Sequence, residues 1–422
     1  MSGSSHRAAP EVLVVGAGPA GSAVAALLAR AGRRVLLLDR ERFPRFRIGE
    51  SLMPATYWTL ERLGVLERMK ASHFPKKCSV QFYSGSGQSS LPFYFSHADP
   101  HESSQTWQVD RAEFDSMLLD HARACGAEVR LGVAVRDVRF DGARAVGVTC
   151  EDESGARQEI EARVVVDASG QSGLLSRKLR LKDEDPVLRH AAAFTRYRGA
   201  VRDAGIDEGA TLVLRTAHPR TWFWYIPLPD DQVSVGVVAP IDRLLSGRGG
   251  GPRAIYDEEV AACPALGPRI RRAVEVMDVM VLRDFSYISR RIAGDGWALV
   301  GDAFGFLDPI YSTGVFLALC SAELAADSIL DGLAAGDVSA ARLGRHGPEY
   351  VAGMEAMRKL VYAFYTPEFS FARFLARYPD CQRAVVDLLM GNVFRRPVDG
   401  LFEALGTMCE LPEARTLDPH VA

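Results

Sequence analysis

Two segments of the sequence hold residue types that could do chemistry. The first is a lysine pair, Lys76 and Lys77, at the start of an alternating, strand-like stretch. Alternation places Lys77 on the face opposite to Val80 and Phe82. An amine held out of water titrates closer to neutral pH and can act as a nucleophile or a hydrogen-bond donor. Adjacent lysines at the start of a strand are also typical of a solvated sheet edge, so this reading stays open beside the catalytic one.

The second segment is Trp222-Phe223-Trp224-Tyr225-Ile226-Pro227. On a strand, Trp222, Trp224 and Ile226 point to one face. A pair of tryptophans placed this way often belongs to an ordinary core, and contact with a cofactor is not implied by the spacing.

A glycine-rich turn, Gly16-Ala17-Gly18-Pro19-Ala20-Gly21, separates a short apolar run from an Ala/Leu-rich helical stretch. Gly16 permits the tight turn, and Gly18 lets the backbone approach a pyrophosphate at the helix N-terminus. Gly21 lets helix and strand pack closely. The next apolar run ends in Asp39, at the distance where an acid binds the ribose hydroxyls of an adenosine. These elements together predict a dinucleotide-binding βαβ unit; a glycine turn without a ligand is the alternative.

Composition describes a soluble globular protein of 422 residues with 48% hydrophobic content and a net charge of −3, so nothing indicates a nucleic-acid partner. The seven cysteines are scattered without a CxxC pair, which argues against a disulfide framework and a metal site. We expect reduced thiols in a cytoplasmic protein. The N-terminus lacks the apolar core of a signal peptide, and no apolar run is long enough to predict a membrane span.

The nucleotide-binding unit is predicted to be discontinuous. Two further apolar runs, Val164–Asp167 and Trp297–Asp302, each deliver an acid into a turn of small residues and read as extra parallel strands, with Asp302 placed for a ligand hydroxyl. Between them lies a region of alternating, antiparallel type. The predicted organisation is a flexible tail at 1–10, a cofactor-binding domain at 11–184 with a β-meander insertion around Glu128–Leu131 and Val133–Glu151, an antiparallel substrate domain at 185–290, the cofactor-binding domain continued at 291–335, and a helical region at 336–422 lining the substrate cavity.

The motifs together resemble the group A flavoprotein monooxygenase superfamily. They are the glycine-rich turn, Asp39, the segment 43–51, Asp110-Arg111, the segment 167–170 and the segment 301–303, in this order. The resemblance implies an α/β fold like that of para-hydroxybenzoate hydroxylase, with a discontinuous Rossmann-like domain that binds extended FAD. The cofactor-binding residues that it implies are Gly16, Gly18, Pro19, Ala20, Gly21, Asp39, Arg40, Arg47, Ser51, Arg111, Asp167, Gly301, Asp302, Gly314 and Val315.

Within this superfamily, Trp222-x-Trp224-x-Ile226-Pro227 resembles the WxWxIP motif of flavin-dependent halogenases. The segments 48–51 and 308–315 are similar to the same branch. The resemblance implies that Trp222, Trp224, Ile226 and Pro227 form a wall between flavin and substrate, and that Ser312 is catalytic. It also implies that the backbone at Thr313 and Gly314 binds the halide.

The same resemblance gives Lys77 the role of holding hypohalous acid, by hydrogen bonding or as a chloramine. Phe74 and Phe82 stand three residues before and five after Lys77, as in the family pattern, which favours Lys77 over Lys76. Ser79 stands where many relatives have glycine, which puts the packing beside the lysine in question.

The implied reaction uses FADH2 and O2 to form a flavin hydroperoxide, which chloride or bromide attacks; HOCl then reaches Lys77 and halogenates an electron-rich ring. No second glycine fingerprint for a nicotinamide is visible, so we expect a flavin reductase to act in trans. Tyr311 stands where tryptophan halogenases carry a glutamate, which favours the phenol, pyrrole and carrier-tethered branch. The predicted partner is a small aromatic substrate of secondary metabolism, such as antibiotic biosynthesis, free or on an acyl or peptidyl carrier protein.

Two alternatives remain open. One is a monooxygenase or dehydrogenase of the same superfamily that does not halogenate. The other is a non-catalytic FAD-binding protein. The basic run Arg177–Lys182 could dock an acidic carrier protein or form a solvated face.

Overall fold

The computed structural model describes residues 9–245, 250–367, 369–396, 398 and 400–418. The predicted flexible tail lies almost wholly outside them. The strands are β1 Val12–Val15, β2 Val35–Asp39, β3 Lys76–Lys77, β4 Ser79–Tyr83, β5 Phe93–Tyr94, β6 Thr106–Trp107, β7 Glu128–Leu131, β8 Val133–Asp141, β9 Arg144–Asp152, β10 Arg157–Glu161, β11 Val164–Asp167, β12 Lys182–Arg198, β13 Thr211–Arg215, β14 Trp222–Pro227, β15 Gln232–Pro240, β16 Val274–Glu275, β17 Met280–Ser289, β18 Ala293–Gly294, β19 Trp297–Leu299 and β20 Gly305–Phe306. The helices are α1 Pro19–Arg30, α2 Thr56–Leu63, α3 Leu66–Lys70, α4 Arg111–Ala124, α5 Leu174–Lys178, α6 Ile241–Leu245, α7 Gly251–Ala261, α8 Gly267–Ile270, α9 Thr313–Ala335, α10 Ala340–Leu343, α11 Gly347–Tyr365, α12 Phe371–Arg377, α13 Gln382–Met390 and α14 Leu401–Gly406.

The first sheet has the strand order β18-β19-β11-β1-β2-β7. Every neighbouring pair is parallel except β18 and β19. β1 and β11 are fully buried runs of apolar residues, because helices and the meander cover a parallel sheet on both faces. The predicted parallel strands at Val164–Asp167 and Trp297 onward are confirmed. A discontinuous α/β unit is therefore present as expected.

The predicted β-meander insertion is the three-stranded antiparallel sheet β10-β9-β8. One element was assigned wrongly to it. Glu128–Leu131 is β7, the edge strand of the parallel sheet, where Leu36 pairs with Glu128. Alternating polarity suited both positions, since an edge strand of a parallel sheet is itself half exposed.

The second sheet has the order β20-β17-β12-β15-β14-β13-β4-β5, with β16 pairing beside β12. It is antiparallel except where β13 runs parallel to β4, with Thr211 opposite Val80. The sheet therefore takes β4 and β5 from the interval 11–184, and β12 begins at Lys182 and crosses the predicted boundary at residue 184. The boundary is displaced because the chain leaves the cofactor-binding part after α3 to supply an edge of the substrate sheet.

Helices α10 to α14 fill the described C-terminal region, as predicted. The long helix α9 packs against α1 and is apolar enough by length and composition to cross a membrane, but 67% of its apolar window is buried within the fold. It is therefore a core helix. All seven cysteines are free.

Candidate active site

The glycine-rich turn is shaped by two close contacts and one open side. A Cβ on Gly16, whose φ is +101°, would lie 2.4 Å from the carbonyl oxygen of Ala168, and one on Gly21 would lie 1.8 Å from that of Gly16. Among the described residues, a Cβ on Gly18 would have one non-adjacent neighbour within 4 Å, Nη2 of Arg45 at 3.6 Å. Gly16 and Gly21 thus serve packing, whereas Gly18 leaves space at the start of α1 that an anionic group can fill.

Asp39 ends β2 beside this turn. Its carboxylate accepts hydrogen bonds from the backbone N–H groups of Ala17, at 2.7 Å, and Glu41, at 2.8 Å. These bonds hold the carboxylate in position at the mouth of the turn. Pro19 and Ala20 are buried in the first turn of α1.

A cluster of charged side chains lies over the open side of Gly18. Arg111 makes a bidentate pair with the buried Asp115, at 2.8 and 3.0 Å, and Arg45 reaches the same carboxylate at 3.1 Å. The Nε atom of Arg45 is buried without a hydrogen bond. Burial lowers the pKa of Arg45, and Asp115 opposes this effect. Arg45 is therefore a strong candidate to hold a phosphate group, although the sequence reasoning did not select it.

The other predicted arginines lie farther out. Arg47 is bound to Glu41 at 2.7 Å, and Arg40 is largely exposed with Glu41 3.7 Å away. In the described residues neither is bound to the glycine-rich turn. Their predicted contact with FAD stays a prediction.

The acids after β11 and β19 differ in their surroundings. Both carboxylate oxygens of Asp167 accept backbone hydrogen bonds, from Ser169 at 3.0 Å and Leu175 at 2.7 Å, so this side chain shapes its own loop. Burial raises its pKa. Asp302 is half-buried in the turn Gly301–Ala303. A Cβ on Gly301 would lie 3.1 Å from Ala20 of α1 and 3.4 Å from Ala318 of α9, so this turn brings the starts of both helices together.

The start of α9 combines a strained residue with an unpaired hydroxyl. Ser312 adopts φ +60° at the N-cap, and its side chain makes no capping bond. Thr313 is fully buried, and its Oγ1 has no hydrogen-bond partner. Gly314 would meet nothing within 4 Å if it carried a Cβ, and Val315 is buried. The positive end of a long helix, an unpaired donor and open space suit a small anion.

Lys77 is buried, whereas Lys76 is exposed. The two lie on opposite faces of the short β3–β6 ladder, in which Lys77 is opposite Thr106. The Nζ atom donates to Oγ of Ser51 at 2.9 Å and to the carbonyl of Leu52 at 3.0 Å. Burial lowers its pKa to about 7. The described residues place no carboxylate in an ion pair with it.

The hydrogen bonds continue behind the lysine. Ser51 Oγ lies 2.9 Å from Thr211 Oγ1, which accepts a bond from Gln108 Nε2 at 2.8 Å. The Oε1 atom of Gln108 is buried without a partner. The hydroxyl of Ser51 accepts the hydrogen bond of the lysine, and its predicted contact with the cofactor stays a prediction. Thr211 and Gln108 were missed, because only long-range pairing brings them to this site.

The strand geometry around the lysine also differs from expectation. Lys77 and Phe82 do not share one strand, since Cys78 interrupts the extended segment and separates β3 from β4. Ser79, which departs from the family glycine, turns its hydroxyl to Asp207 at 2.8 Å. That serine hydroxyl is therefore paired away from the lysine amine.

The tryptophans form one face of β14. Trp222, Trp224 and Ile226 belong to the main core, while Phe223 and Tyr225 face a separate core. Opposite Trp224 lies a glycine, Gly236, where a Cβ would be 2.2 Å from the indole. Pro227 ends the strand. The predicted common face is therefore present, and no cofactor contact is needed to explain its burial.

A hydrogen-bond chain ties this wall to the start of α9. Trp222 Nε1 donates to the Tyr365 hydroxyl at 2.8 Å, and that hydroxyl donates to Asp308 at 2.9 Å. Asp308 begins the turn that leads into Ser312. The ring of His190 stacks on Tyr365 at 4.4 Å.

Aromatic side chains of the C-terminal region close the other side. Phe364 packs 6.2 Å from Trp222 and 6.3 Å from Tyr311, and Phe82 packs 5.2 Å from Phe371. We call these five residues the aromatic cluster. It joins β4, the turn before α9 and the C-terminal helices. The predicted lining of a substrate cavity by the region 336–422 stays a prediction. In the described residues no group of His, Cys, Asp and Glu could hold a metal ion.

The open turn at Gly18, the guanidinium of Arg45, whose Nε makes no hydrogen bond and lies 3.5 Å from Glu41, and the space at Gly314 fit FAD. They define a class of protein: an FAD-dependent oxidoreductase. The family model of an FAD binding domain matches residues 9–322. A 1H-pyrrole-2-carbonyl-[peptidyl-carrier protein] chlorinase of Pseudomonas fluorescens is 31% identical, covering 97% of this chain and 94% of the relative. A tryptophan 2-halogenase of Chondromyces crocatus is 35% identical, covering 78% of this chain and 63% of the relative.

Among solved structures, a flavin-dependent brominase has a TM-score of 0.84 at 31% identity and covers 94% of this chain and 98% of its own. A flavoprotein/dehydrogenase of Cytophaga hutchinsonii has a TM-score of 0.83 at 28% identity, covering 94% of this chain and 98% of its own. The chain belongs to the flavin-dependent halogenase family, within the FAD-binding monooxygenase superfamily. A non-catalytic FAD-binding protein is no longer needed as an explanation.

Proposed function

We propose that the protein uses FADH2, O2 and chloride or bromide to halogenate an electron-rich aromatic ring carried by a peptidyl carrier protein, with Lys77 directing the electrophile. Bound reduced flavin and O2 supply the oxidising power that turns halide into hypohalous acid. The chain itself binds the halide, keeps water out and delivers the electrophile.

The observation that carries the proposal is the environment of Lys77. A neutral amine has two N–H donors and one lone pair, and the two acceptors, Ser51 Oγ and the Leu52 carbonyl, match those donors. The lone pair stays available to hold the halogen. A pKa of about 7 makes this neutral form accessible near neutral pH.

The halide site that supports the proposal is the start of α9. The buried Thr313 hydroxyl can donate to a halide ion, and the helix dipole favours a negative charge at the same place. Chloride and bromide both suit a site made of one hydroxyl and backbone N–H groups. The relatives include proteins named as a chlorinase and as a brominase.

The carrier-tethered substrate is supported by two relatives whose names give 1H-pyrrole-2-carbonyl-[peptidyl-carrier protein] as the substrate, at 31% and 33% identity. Tyr311 belongs to the aromatic cluster, and its hydroxyl donates to the carbonyl of Leu360 at 3.2 Å, so its ring adds an apolar face there. An aromatic acyl group would pack on such rings, whereas the polar ends of free tryptophan would need hydrogen-bond partners.

Lys77→Ala should leave FAD binding and O2 consumption largely intact, because the lysine acts after halide oxidation. Halogenated product should fall by about two orders of magnitude or more, as for loss of a positioned proton-transfer or covalent group. The measurement is product analysis by mass spectrometry on pyrrole-2-carbonyl carrier protein, with phenols and tryptophan as further substrates. Lys76→Ala is the matched control and should be nearly silent, because Lys76 faces solvent. Wild-type product levels in Lys77→Ala would refute the role.

A second function is favoured by the similarity to a flavoprotein/dehydrogenase, which differs little in TM-score from the brominase. In that case substrate would be hydroxylated or dehydrogenated without halide. The same assay separates the two functions. Product formation that does not depend on chloride or bromide would support the monooxygenase or dehydrogenase function and would refute the halogenase function.

A further inference from the structure

A basic site lies at the hairpin between β13 and β14, beside the aromatic cluster. A cavity of about 220 Å³ is lined there by Arg215 at the end of β13, by Arg220 in the hairpin turn, and by Thr216, Thr221 and Phe364. Arg220 adopts φ +57°, which is unusual for a residue other than glycine.

The two arginines have no acidic partner among the described residues. Arg215 donates from Nη2 to the carbonyl of Phe364 at 2.6 Å and stacks 4.1 Å from its ring. Arg220 donates from Nη2 to the carbonyl of Val187 at 2.8 Å, and its Nε is buried without a partner.

The nearby Arg243 is already paired, with Glu259 at 2.8 Å. His218, which lines the cavity, lies 3.0 Å from the same carboxylate. Two uncompensated guanidinium groups therefore remain, and a guanidinium fork with free donors matches a phosphate group.

We propose that this cavity binds the phosphate of the phosphopantetheine arm that carries the substrate. The inference rests on the proposed carrier-tethered function. It names the part of the partner that the enzyme recognises, separately from the aromatic acyl group.

The spacing fits such an arm. Thr211 begins β13 beside Ser51, which holds Lys77, and Arg215 ends the same strand four residues later, so that the strand spans roughly 13 Å. About twelve chain atoms separate phosphorus from sulfur in phosphopantetheine, and since a residue contributes three backbone atoms, the extended arm is about as long as four residues of a strand. Phe364 packs on Arg215 and against Trp222, so it connects the cavity with the aromatic cluster.

The test compares two small substrates that differ only in the phosphate: pyrrole-2-carbonyl-S-phosphopantetheine and pyrrole-2-carbonyl-S-pantetheine. In Arg220→Gln and Arg215→Gln, kcat/KM should fall by about tenfold or more for the phosphate-bearing substrate and change little for the other, since a charge-assisted contact is lost. Arg177→Gln, in the exposed basic run on α5, is the matched control and should not distinguish the substrates. Calorimetry with phosphopantetheine and pantetheine alone checks binding without turnover, and thermal melts check the fold.

Each outcome separates this inference from the proposed function. If the wild type halogenates both substrates with equal kcat/KM, or if both arginine variants keep the wild-type preference for phosphate, the phosphate site is refuted while the halogenase stands. If Arg177→Gln alone loses the preference, the basic run on α5 is the site instead. If the wild type binds phosphopantetheine more tightly than pantetheine but yields no halogenated product from any ring, the proposed function fails and the anion site remains.

Discussion

Lys77 is a buried amine whose ionisation is set by desolvation. Burial alone lowers its pKa, from the ordinary value of 10.5 to about 7. Between these values the unfolded chain holds a proton on this lysine that the folded chain lacks, so the lysine's contribution to the free energy of unfolding becomes more favourable as pH rises from about 7 to 10.5. Below about 7 the folded protein must keep a charged, unpaired group. At low pH the buried lysine therefore lowers the free energy of unfolding.

The pH dependence of halogenation follows from the same ionisation. If the neutral amine holds the halogen, product formation should rise with pH through about 7 and level off above it. The measurement is the initial rate of halogenated product from pH 5.5 to 9 at saturating FADH2, with O2 consumption followed in parallel. O2 consumption should not show the same rise, because it precedes the lysine. A halogenation rate that falls through pH 7 would assign the active form to the ammonium.

Thr313 offers a test of the halide site. Its buried hydroxyl has no partner, so replacing Thr313 by Val should raise the free energy of unfolding by about 1 kcal/mol, since a buried unpaired group is removed. The same change should raise the KM for chloride and bromide about tenfold, because a hydrogen bond to an ion is lost. Thermal melts and halide titrations of the rate measure the two effects. An unchanged halide KM would place the halide elsewhere.

At the level of the elements, two glycines of the turn between β1 and α1 have different roles. Gly18 leaves space for FAD, whereas Gly21 is required for close packing. Gly18→Val should cost about 1 kcal/mol of stability, as for a poorer N-cap, yet abolish FAD binding by filling the open side of the turn. Gly21→Ala should cost more than about 3 kcal/mol, because its Cβ would overlap the carbonyl of Gly16. Flavin absorbance of the purified variants and urea unfolding of the apoproteins measure both. Full FAD occupancy in Gly18→Val would displace the pyrophosphate from this turn.

The elements that the sequence predicted well are those with a local signal. β1, β11 and β19 are continuous apolar runs ending in small-residue turns, and α1 follows its glycines directly, so that neighbouring residues fix them. The common face of Trp222 and Trp224 follows from alternation alone. By contrast, the segment that forms β4 was included in the cofactor-binding domain at 11–184, although it pairs with β13 of the substrate sheet, because this partner is far away in the chain.

The residues that sequence reasoning missed share one property: their role depends on distant neighbours. Gln108 and Thr211 meet only because the start of β13 lies beside the bridge between Ser51 and Gln108, and no spacing in the sequence indicates their contact. Arg45 and Arg47 both lie in the segment 43–51. Choosing Arg45 required knowing that it reaches Asp115, a contact that the sequence does not show. The break at Cys78 was missed because alternation continued across it.

In the whole molecule, the cofactor part and the substrate sheet converge on one region. The turn at Gly301 joins the starts of α1 and α9, and the Trp222–Tyr365–Asp308 chain joins the wall on β14 to the same end of α9. The aromatic cluster links β4 to the C-terminal helices. The lysine and the halide site that we propose lie on different elements, and both Lys77 and Thr313 are buried, which would limit loss of the electrophile to solvent.

The whole sequence also leads to a prediction of how the flavin is reduced. The sequence has one glycine fingerprint at a strand–helix junction, and β1, α1 and β2 use it, so no second nucleotide site of this kind is left for NADPH. We therefore expect NADPH alone to reduce the bound FAD far more slowly than turnover requires, and an added flavin reductase to restore halogenation. Stopped-flow absorbance of the flavin under anaerobic conditions measures the first rate, and product formation with and without reductase measures the second. Chemically reduced FADH2 is the control, because with it this protein should form product without a reductase or a nicotinamide. Rapid bleaching by NADPH in the absence of a reductase would contradict the two-component scheme and favour a hydroxylase that reduces its own flavin.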